Sequence, residues 1–417
     1  MRKRLLALAS SVAMLLAFLV TGCQSARSDA EAYYLPAEWE PQEAVWVSFF
    51  GGPMDSVSYQ MVRTIARYTP VKCVIPPDRE LAYSIEANLK AMGVDPAKIE
   101  VIKAGGIVQT RDVGPIFVRN SSGDLRIVDF GWNNYGDPDA SMGPNRRSAD
   151  FDSLVAARLQ IPLVRSDLVM EGGAFEANGK GTLLQVEAVT LQRNPGMSKQ
   201  AIEDELKRVL GQKKIVWLKE GPADDPQRMA LITRKYIGQG VGGHVDEFAR
   251  FVDPHTILLA IPDSAEAAHD PVKQITYDRM RVNYEILKNA TDQDGKPFTI
   301  VTVPVPNVPY RPMVADTSWT HPAFHDLLQA NPQIHHGDTL YWVPASSYLN
   351  YFVSNKVVLI PAYWRPGWPQ AVKQRDDQFR EVIHRYFPDR EIISIDPYAL
   401  NMNGGGLHCW TQQQPAG

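Results

Sequence analysis

Apolar residues along this chain fall into two patterns: short unbroken runs, and longer stretches where they return every three or four positions. The runs read as strands at 44–49 (AVWVSF), 71–75 (VKCVI), 125–129 (LRIVD), 181–186 (GTLLQV), 214–218 (KIVWL), 256–261 (TILLAI), 298–303 (FTIVTV), 348–353 (YLNYFV), 356–360 (KVVLI) and 391–395 (EIISI). The longer spacing predicts helices over 55–67, 78–92, 149–159, 198–210, 270–290 and 370–386. In the helix from Ser198, the serine is placed to cap the first turn, and Ile202, Leu206, Val209 and Leu210 share one face. Pairs of strands recur with single helices and short connections. That order predicts an α/β protein built from several similar small units rather than one strictly alternating parallel sheet.

One apolar run is of another kind. Leu5 to Val20 follows Arg2, Lys3 and Arg4 and precedes small residues and a cysteine, which is the layout of an export signal. Val20-Thr21-Gly22-Cys23 resembles the bacterial lipobox, in which the cysteine becomes the lipidated first residue. The expected organisation is a lipoprotein signal peptide over 1–22, a lipidated tether over 23–32 starting at Cys23, and one catalytic domain over 33–417. The body would then lie outside the cytoplasm, on the periplasmic or cell-surface side, joined to a bacterial membrane through the lipid anchor only. An uncleaved anchor helix is the alternative, but the run is short for a full span.

Composition sets outer limits. With 44% apolar and 22% charged residues the body is globular. The formal charge of −4 becomes −7 (−4 minus 3) once the three leader cations are removed, and no basic stripe is present, so nucleic acid is excluded as the expected partner. There are only three cysteines, Cys23, Cys73 and Cys409. Lipidation consumes Cys23, and Cys73 sits in an apolar run as a small core residue. Cys409 is then alone, apart from a less favoured bridge to Cys73.

Polar residues unusual for a core recur beside glycines in five clusters: 109–115 with Asp112, 170–173 with Glu171, 242–247 with His244 and Asp246, 346–351 with Asn350, and 404–409 with Cys409. Any one of them reads as a turn with an ion pair; five together suggest a site. His244 and Asp246 are at i and i+2, which on a strand places both side chains on one face. Cysteine with histidine is the minimum for thiol nucleophilic catalysis. Carboxylates around a thiol oppose its ionisation unless the substrate is a cation, and a guanidinium is planar, always charged and matched to paired carboxylates. A metal site of His244, Asp246, Asp112 and Glu171 is the weaker reading, because it leaves Cys409 unexplained.

The segments 35–46, 111–118, 128–136, 171–173, 243–252, 347–352 and 404–413 resemble, in order, those of the agmatine deiminase and bacterial (Porphyromonas-type) peptidylarginine deiminase family of the guanidino-modifying, or pentein, superfamily. The resemblance implies a five-bladed α/β propeller with the site in its central channel. It implies a cysteine-dependent deiminase that converts agmatine, or arginine in a peptide or protein, to a ureido product and ammonia through a covalent thiouronium, with no metal or organic cofactor. Carried over, Cys409 is the nucleophile, His244 the general acid/base, Asp112 and Asp246 the guanidinium holders, and Glu171 and Asn350 further substrate-binding groups. An amidinotransferase and a non-catalytic guanidino-binding lipoprotein are the alternatives.

The sequence departs from the family pattern in two places. Residues 219–243, with Arg228, Arg234 and Lys235, form a longer connection that reads as a lid or a solvated loop, and Phe49-Phe50 replace the usual Trp-Pro. His408 and Arg111 are expected to be structural, His335-His336 to lie in a polar loop, and Trp39, Trp46, Trp132 and Trp410 to be core or pocket wall.

Overall fold

The computed structural model describes residues 32–76, 81–104, 109–136, 150–316 and 322–417, without the side chains of 81–83. The signal segment 1–22, Cys23 and all of the tether except residue 32 lie outside the described residues. Among the described residues twenty strands form six sheets. Five of these sheets share one connectivity: two antiparallel strands, a helix, then a strand parallel to the second.

One unit is β4 (Ile116–Arg119), β5 (Leu125–Gly131), the helix Phe151–Leu159 and β6 (Leu163–Val169). The next is β7 (Phe175–Ala177), β8 (Thr182–Val186), the helix Lys199–Leu210 and β9 (Lys214–Leu218). A third is β12 (Ala249–Asp253), β13 (Thr256–Ala260), the helix Pro271–Asn289 and β14 (Thr299–Val303). A fourth is β17 (Phe352–Val353), β18 (Val357–Pro361), the helix Gln370–Tyr386 and β19 (Glu391–Ile395). The fifth joins the chain ends: β20 (Thr411–Pro415) runs antiparallel to β1 (Gln42–Ser48), which leads through the helix Asp55–Ile65 to parallel β2 (Val71–Ile75) and then β3 (Ile99–Lys103).

Local sequence explains these elements. The middle strands β8, β13 and β18 are buried at every position, so they read as continuous apolar runs and are visible from sequence. Ser198 Oγ accepts from Ala201 N at 3.2 Å, and Ile202, Leu206, Val209 and Leu210 are buried, as the spacing predicts. That helix stops at Gly211, with φ +64°, where a Cβ would stand 1.8 Å from the Tyr33 carbonyl oxygen. Pro271 opens the longest helix behind Asp270, whose side chain accepts from Val272 N and Lys273 N.

The structure corrects the sequence expectations in two places. The strand expected over 348–353 is reduced to Phe352–Val353, and Tyr348 to Tyr351 are irregular. The segment 219–243 is not a solvated loop. It carries β10 (Gln227–Thr233) and β11 (Tyr236–Val241), a hairpin in a sixth sheet of order β10-β11-β16-β15, with β15 at Arg311–Val314 and β16 at Thr339–Val343. Gly238 and Gly240 break its apolar alternation, which hid the hairpin. Lys235 there lies over the Tyr341 ring, 4.7 Å from its centroid.

Cys73 and Cys409 are both free and buried, so no bridge joins them. Trp46 and Trp410 are core residues, and His335 and His336 are exposed, as expected.

Phe379 stacks on Tyr348 with ring centroids 5.0 Å apart and is fully buried behind the loop that carries Asn350. Replacing it with Ala is expected to cost about 3–5 kcal/mol, measured by chemical denaturation.

Candidate active site

Five loops converge, and each occupies the same place in its unit, just ahead of the first strand. Asp112 precedes β4, Glu171 precedes β7, His244 and Asp246 precede β12, Asn350 precedes β17, and Cys409 precedes β20. All six side chains are buried, with relative exposures of 0 to 4%.

His244 links two of these loops. Its Nδ1 is 3.5 Å from Asp112 Oδ1 and its Nε2 is 3.4 Å from Glu171 Oε2; these are ion-pair contacts, and neither ring nitrogen has an aligned hydrogen-bond partner. Cys409 Sγ lies 3.2 Å from Asn350 Nδ2, 3.7 Å from Asp246 Oδ2 and 3.8 Å from Glu247 Oε1. The centre of the site is marked by a missing side chain. A Cβ on Gly173 would meet His244 Nδ1 at 2.7 Å, Asp112 Oδ1 at 2.8 Å and Asp246 Oδ2 at 3.1 Å.

Further side chains hold this arrangement. Gly173 N donates to Asp112 Oδ1 at 3.1 Å and Tyr135 Oη donates to Asp112 Oδ2 at 2.9 Å. Arg193 Nε donates to Glu171 Oε1 at 2.8 Å. Asp225 accepts the backbone N–H groups of Val241, Gly243 and His244 at 2.6, 2.9 and 3.0 Å, which fixes the turn that presents the histidine. Asn350 Oδ1 accepts from His408 N at 2.9 Å and Cys409 N at 3.3 Å, so one amide holds both the nucleophile's backbone and its sulfur. The glycine run serves this packing: a Cβ on Gly406 would stand 2.4 Å from Asn350 Oδ1, and Gly404 takes φ +77° against the Gln239 backbone.

The electrostatics follow from burying so many acids together. Burial, then Asp246, Glu247 and Asp112, push the Cys409 thiol well above its ordinary value. Glu247 is raised well above the carboxylate range by burial and by Asp246, Asp225 and Asp224. Asp112 rises to about 6, chiefly through burial. Burial opposes charge on His244, but Asp112, Glu171 and Asp246 outweigh it and raise the ring to about 9. Against their own burial, Arg193 and His244 hold Glu171 below its ordinary value, while His408 and His244 do so for Asp246. At neutral pH the site therefore pairs a protonated imidazole with a neutral thiol.

All the residues expected from the sequence come together, but one supporting argument fails. Val245–Glu247 is a 3₁₀ turn rather than a strand, so the shared facing of His244 and Asp246 comes from the turn. Asn350, expected to bind substrate, has both ends of its amide engaged by Cys409, His408 and Glu247. Glu247, Tyr135, Arg193 and Asp225 were not singled out. Glu247 lies inside a cluster already marked, and its place beside Asp246 was the available signal; the others sit in ordinary turns and helices. His408 Nδ1 lies 2.7 Å from Asp246 Oδ2, and Arg111 Nη1 pairs with Glu38 Oε1 at 3.0 Å. Asp246, Glu247 and Cys409 offer donor atoms within 4.8 Å of one another.

The family model described as Porphyromonas-type peptidyl-arginine deiminase matches residues 34–415. The chain is 29% identical over 401 residues to an agmatine deiminase of Pseudomonas putida and 29% identical over 401 residues to that of Pseudomonas fluorescens, covering 93% of this chain and 96% of each relative. Among solved structures it is similar to the agmatine deiminase of Enterococcus faecalis, with a TM-score of 0.72, 25% identity and coverage of 93% and 96% of the two chains. These matches agree with a single mixed α/β domain.

Two outcomes test the electrostatics. Alkylation of Cys409 by iodoacetamide is expected to be slow at neutral pH, with a rate still climbing above pH 9. Because His244 is raised from 6.5 to about 9, its contribution to stability is full below about pH 6.5 and is lost as pH rises through about 9. The stability gap between wild type and His244→Gln, from urea denaturation, should narrow across that window.

Proposed function

The chain belongs to the Porphyromonas-type peptidyl-arginine deiminase family, and from that premise we propose that it hydrolyses a small linear guanidine, agmatine being the leading candidate, to a ureido product and ammonia. The observation that carries this reading is the buried thiol among Asp112, Glu171 and Asp246, a negative cluster that a guanidinium neutralises. The near-complete burial favours a small free substrate over arginine on a folded protein surface.

In the proposed sequence the guanidinium lies between Asp112 and Asp246. Its charge lowers the thiol pKa, the thiol proton is released to solvent as the cation binds, and Sγ bonds to the guanidine carbon. The thiolate and guanidinium charges cancel in the tetrahedral adduct, whose nitrogens stay hydrogen-bonded to the two aspartates. Protonated His244, steadied by Glu171, gives its proton to the departing nitrogen; the C–N bond breaks and ammonia leaves. His244, now neutral, takes a proton from water, whose oxygen adds to the thiouronium carbon. The C–S bond then breaks, and the hydroxyl proton passes to the departing sulfur, to give the ureido product and the Cys409 thiol. Guanidine and water balance the reaction, so it calls for no cofactor.

Two wider readings belong to this proposal. The five units are taken as the blades of a propeller whose central channel is lined by the five loops; the repeated place of the site residues supports this. The leader over 1–22 and Cys23 support a lipid-anchored protein outside the cytoplasm.

The test is release of ammonia and ureido product from agmatine, free arginine and arginyl peptides. Wild type should turn over agmatine best. Cys409→Ala should abolish release, and Asp112→Asn or Asp246→Asn should lower kcat/KM by about 10²-fold or more. If Cys409→Ala retained full turnover, the assignment would be wrong.

A further inference from the structure

Asp246 is a carboxylate whose two oxygens have different surroundings. Oδ2 is 2.7 Å from His408 Nδ1, while Oδ1 is buried with no hydrogen-bond partner. The other nitrogen of the same ring, His408 Nε2, is 2.7 Å from Glu38 Oε1. Glu38 is held in turn by Arg111 Nη1 at 3.0 Å, Arg250 Nη2 at 2.5 Å and Gln413 Nε2 at 3.1 Å. Two arginines and a glutamine thus fix an acid that fixes a histidine that fixes an aspartate beside Cys409.

Proton counting makes the chain directional. A neutral imidazole donates from one nitrogen only, and a bare ring nitrogen 2.7 Å from a carboxylate oxygen is repulsive. The group of Glu38, His408 and Asp246 therefore carries two protons, one in each short contact. Burial, Arg111 and Arg250 lower the His408 pKa below its ordinary value, with Glu38 and Asp246 only partly opposing them, so the protons are shared with the two carboxyl groups. Asp246 is held below its ordinary carboxylate value against its burial, first by its hydrogen bond from His408.

Resting on the deiminase reading, we propose that Glu38 and His408 are positioning residues for guanidinium recognition: they hold the Asp246 carboxylate through Oδ2, beside Cys409, while Oδ1 keeps no protein partner. Neither touches the reacting atoms. Glu38 lies in the segment that precedes β1, so a residue outside the five site loops helps set a carboxylate of the site through His408.

The test is a binding cycle that does not need turnover. Agmatine affinity is measured by calorimetry in a Cys409→Ser background, with Glu38→Gln, His408→Asn and their combination, and KM and kcat are measured with the cysteine present. Each single change is expected to weaken binding by about 10- to 100-fold, the range for a hydrogen bond to a charged group, and to raise KM far more than it lowers kcat. Because His408→Asn has no group at Nε2, adding Glu38→Gln to it should cost less than about twofold. Additive losses, or unchanged affinity, overturn the pairing while leaving the deiminase reading intact. If Glu38→Gln does not fold, two side chains at 408 decide the matter. His408→Asn, which keeps a donor near the Nδ1 position, should bind agmatine more tightly than His408→Gln, whose amide reaches toward Nε2; the reverse order overturns the proposal. No binding by the Cys409→Ser protein together with no ammonia from wild type overturns the deiminase reading, and the pairing with it.

Discussion

The constraint on which the rest depends is the burial of excess negative charge around a thiol. Asp112, Glu171, Asp246 and Glu247 lie with Cys409 in a region with almost no solvent exposure. Isolated buried carboxylates are costly, and each must find a cation, a hydrogen-bond donor or a proton. Every solution appears here. Arg193 and His244 serve Glu171, Tyr135 and Gly173 N serve Asp112, His408 serves Asp246, and Glu247 stays protonated. The unsatisfied remainder, Asp246 Oδ1 above all, is what a guanidinium is built to complete. Specificity for a cation and silence of the nucleophile without one are thus the same electrostatic fact.

The fold solves the assembly problem by repetition. Five units each end a loop at the start of a short first strand, so five short segments from distant parts of the sequence meet without any long loop having to enter the core. The rigid parts, the fully buried middle strands and the helices behind them, are remote from the chemistry. This division places the polar residues where the backbone is irregular and the apolar ones where it is regular.

That division also explains what the sequence revealed. The middle strands and long helices were legible because burial on both faces, or on one stripe, leaves a strong apolar pattern. The first strands were not. In β20, Thr411, Gln412, Gln413 and Gln414 are all buried, and their amides reach Pro115 O, Glu38 and Glu43, so a buried strand carries a polar signature. The site residues were legible for the opposite reason: acids, a histidine and a thiol beside glycines have no place in an ordinary core. Asp225 and Arg193 escaped notice because what they do depends on a fold that brings residues 171, 193, 225 and 244 together, and spacing alone carries no trace of it.

Closure of the fifth unit by the two ends of the domain has a consequence in time. β1 emerges from the ribosome early but lacks its antiparallel neighbour until β20 is made, and Cys409 is eight residues from the last (417 minus 409). Four units can condense from local contacts as they are synthesised, whereas the fifth needs a contact spanning the whole chain. The nucleophile is therefore the last functional group to arrive. A polypeptide that stops before Cys409 holds the acids and the histidine but has no thiol to attack with, so chemical competence waits on the segment that closes the fifth unit.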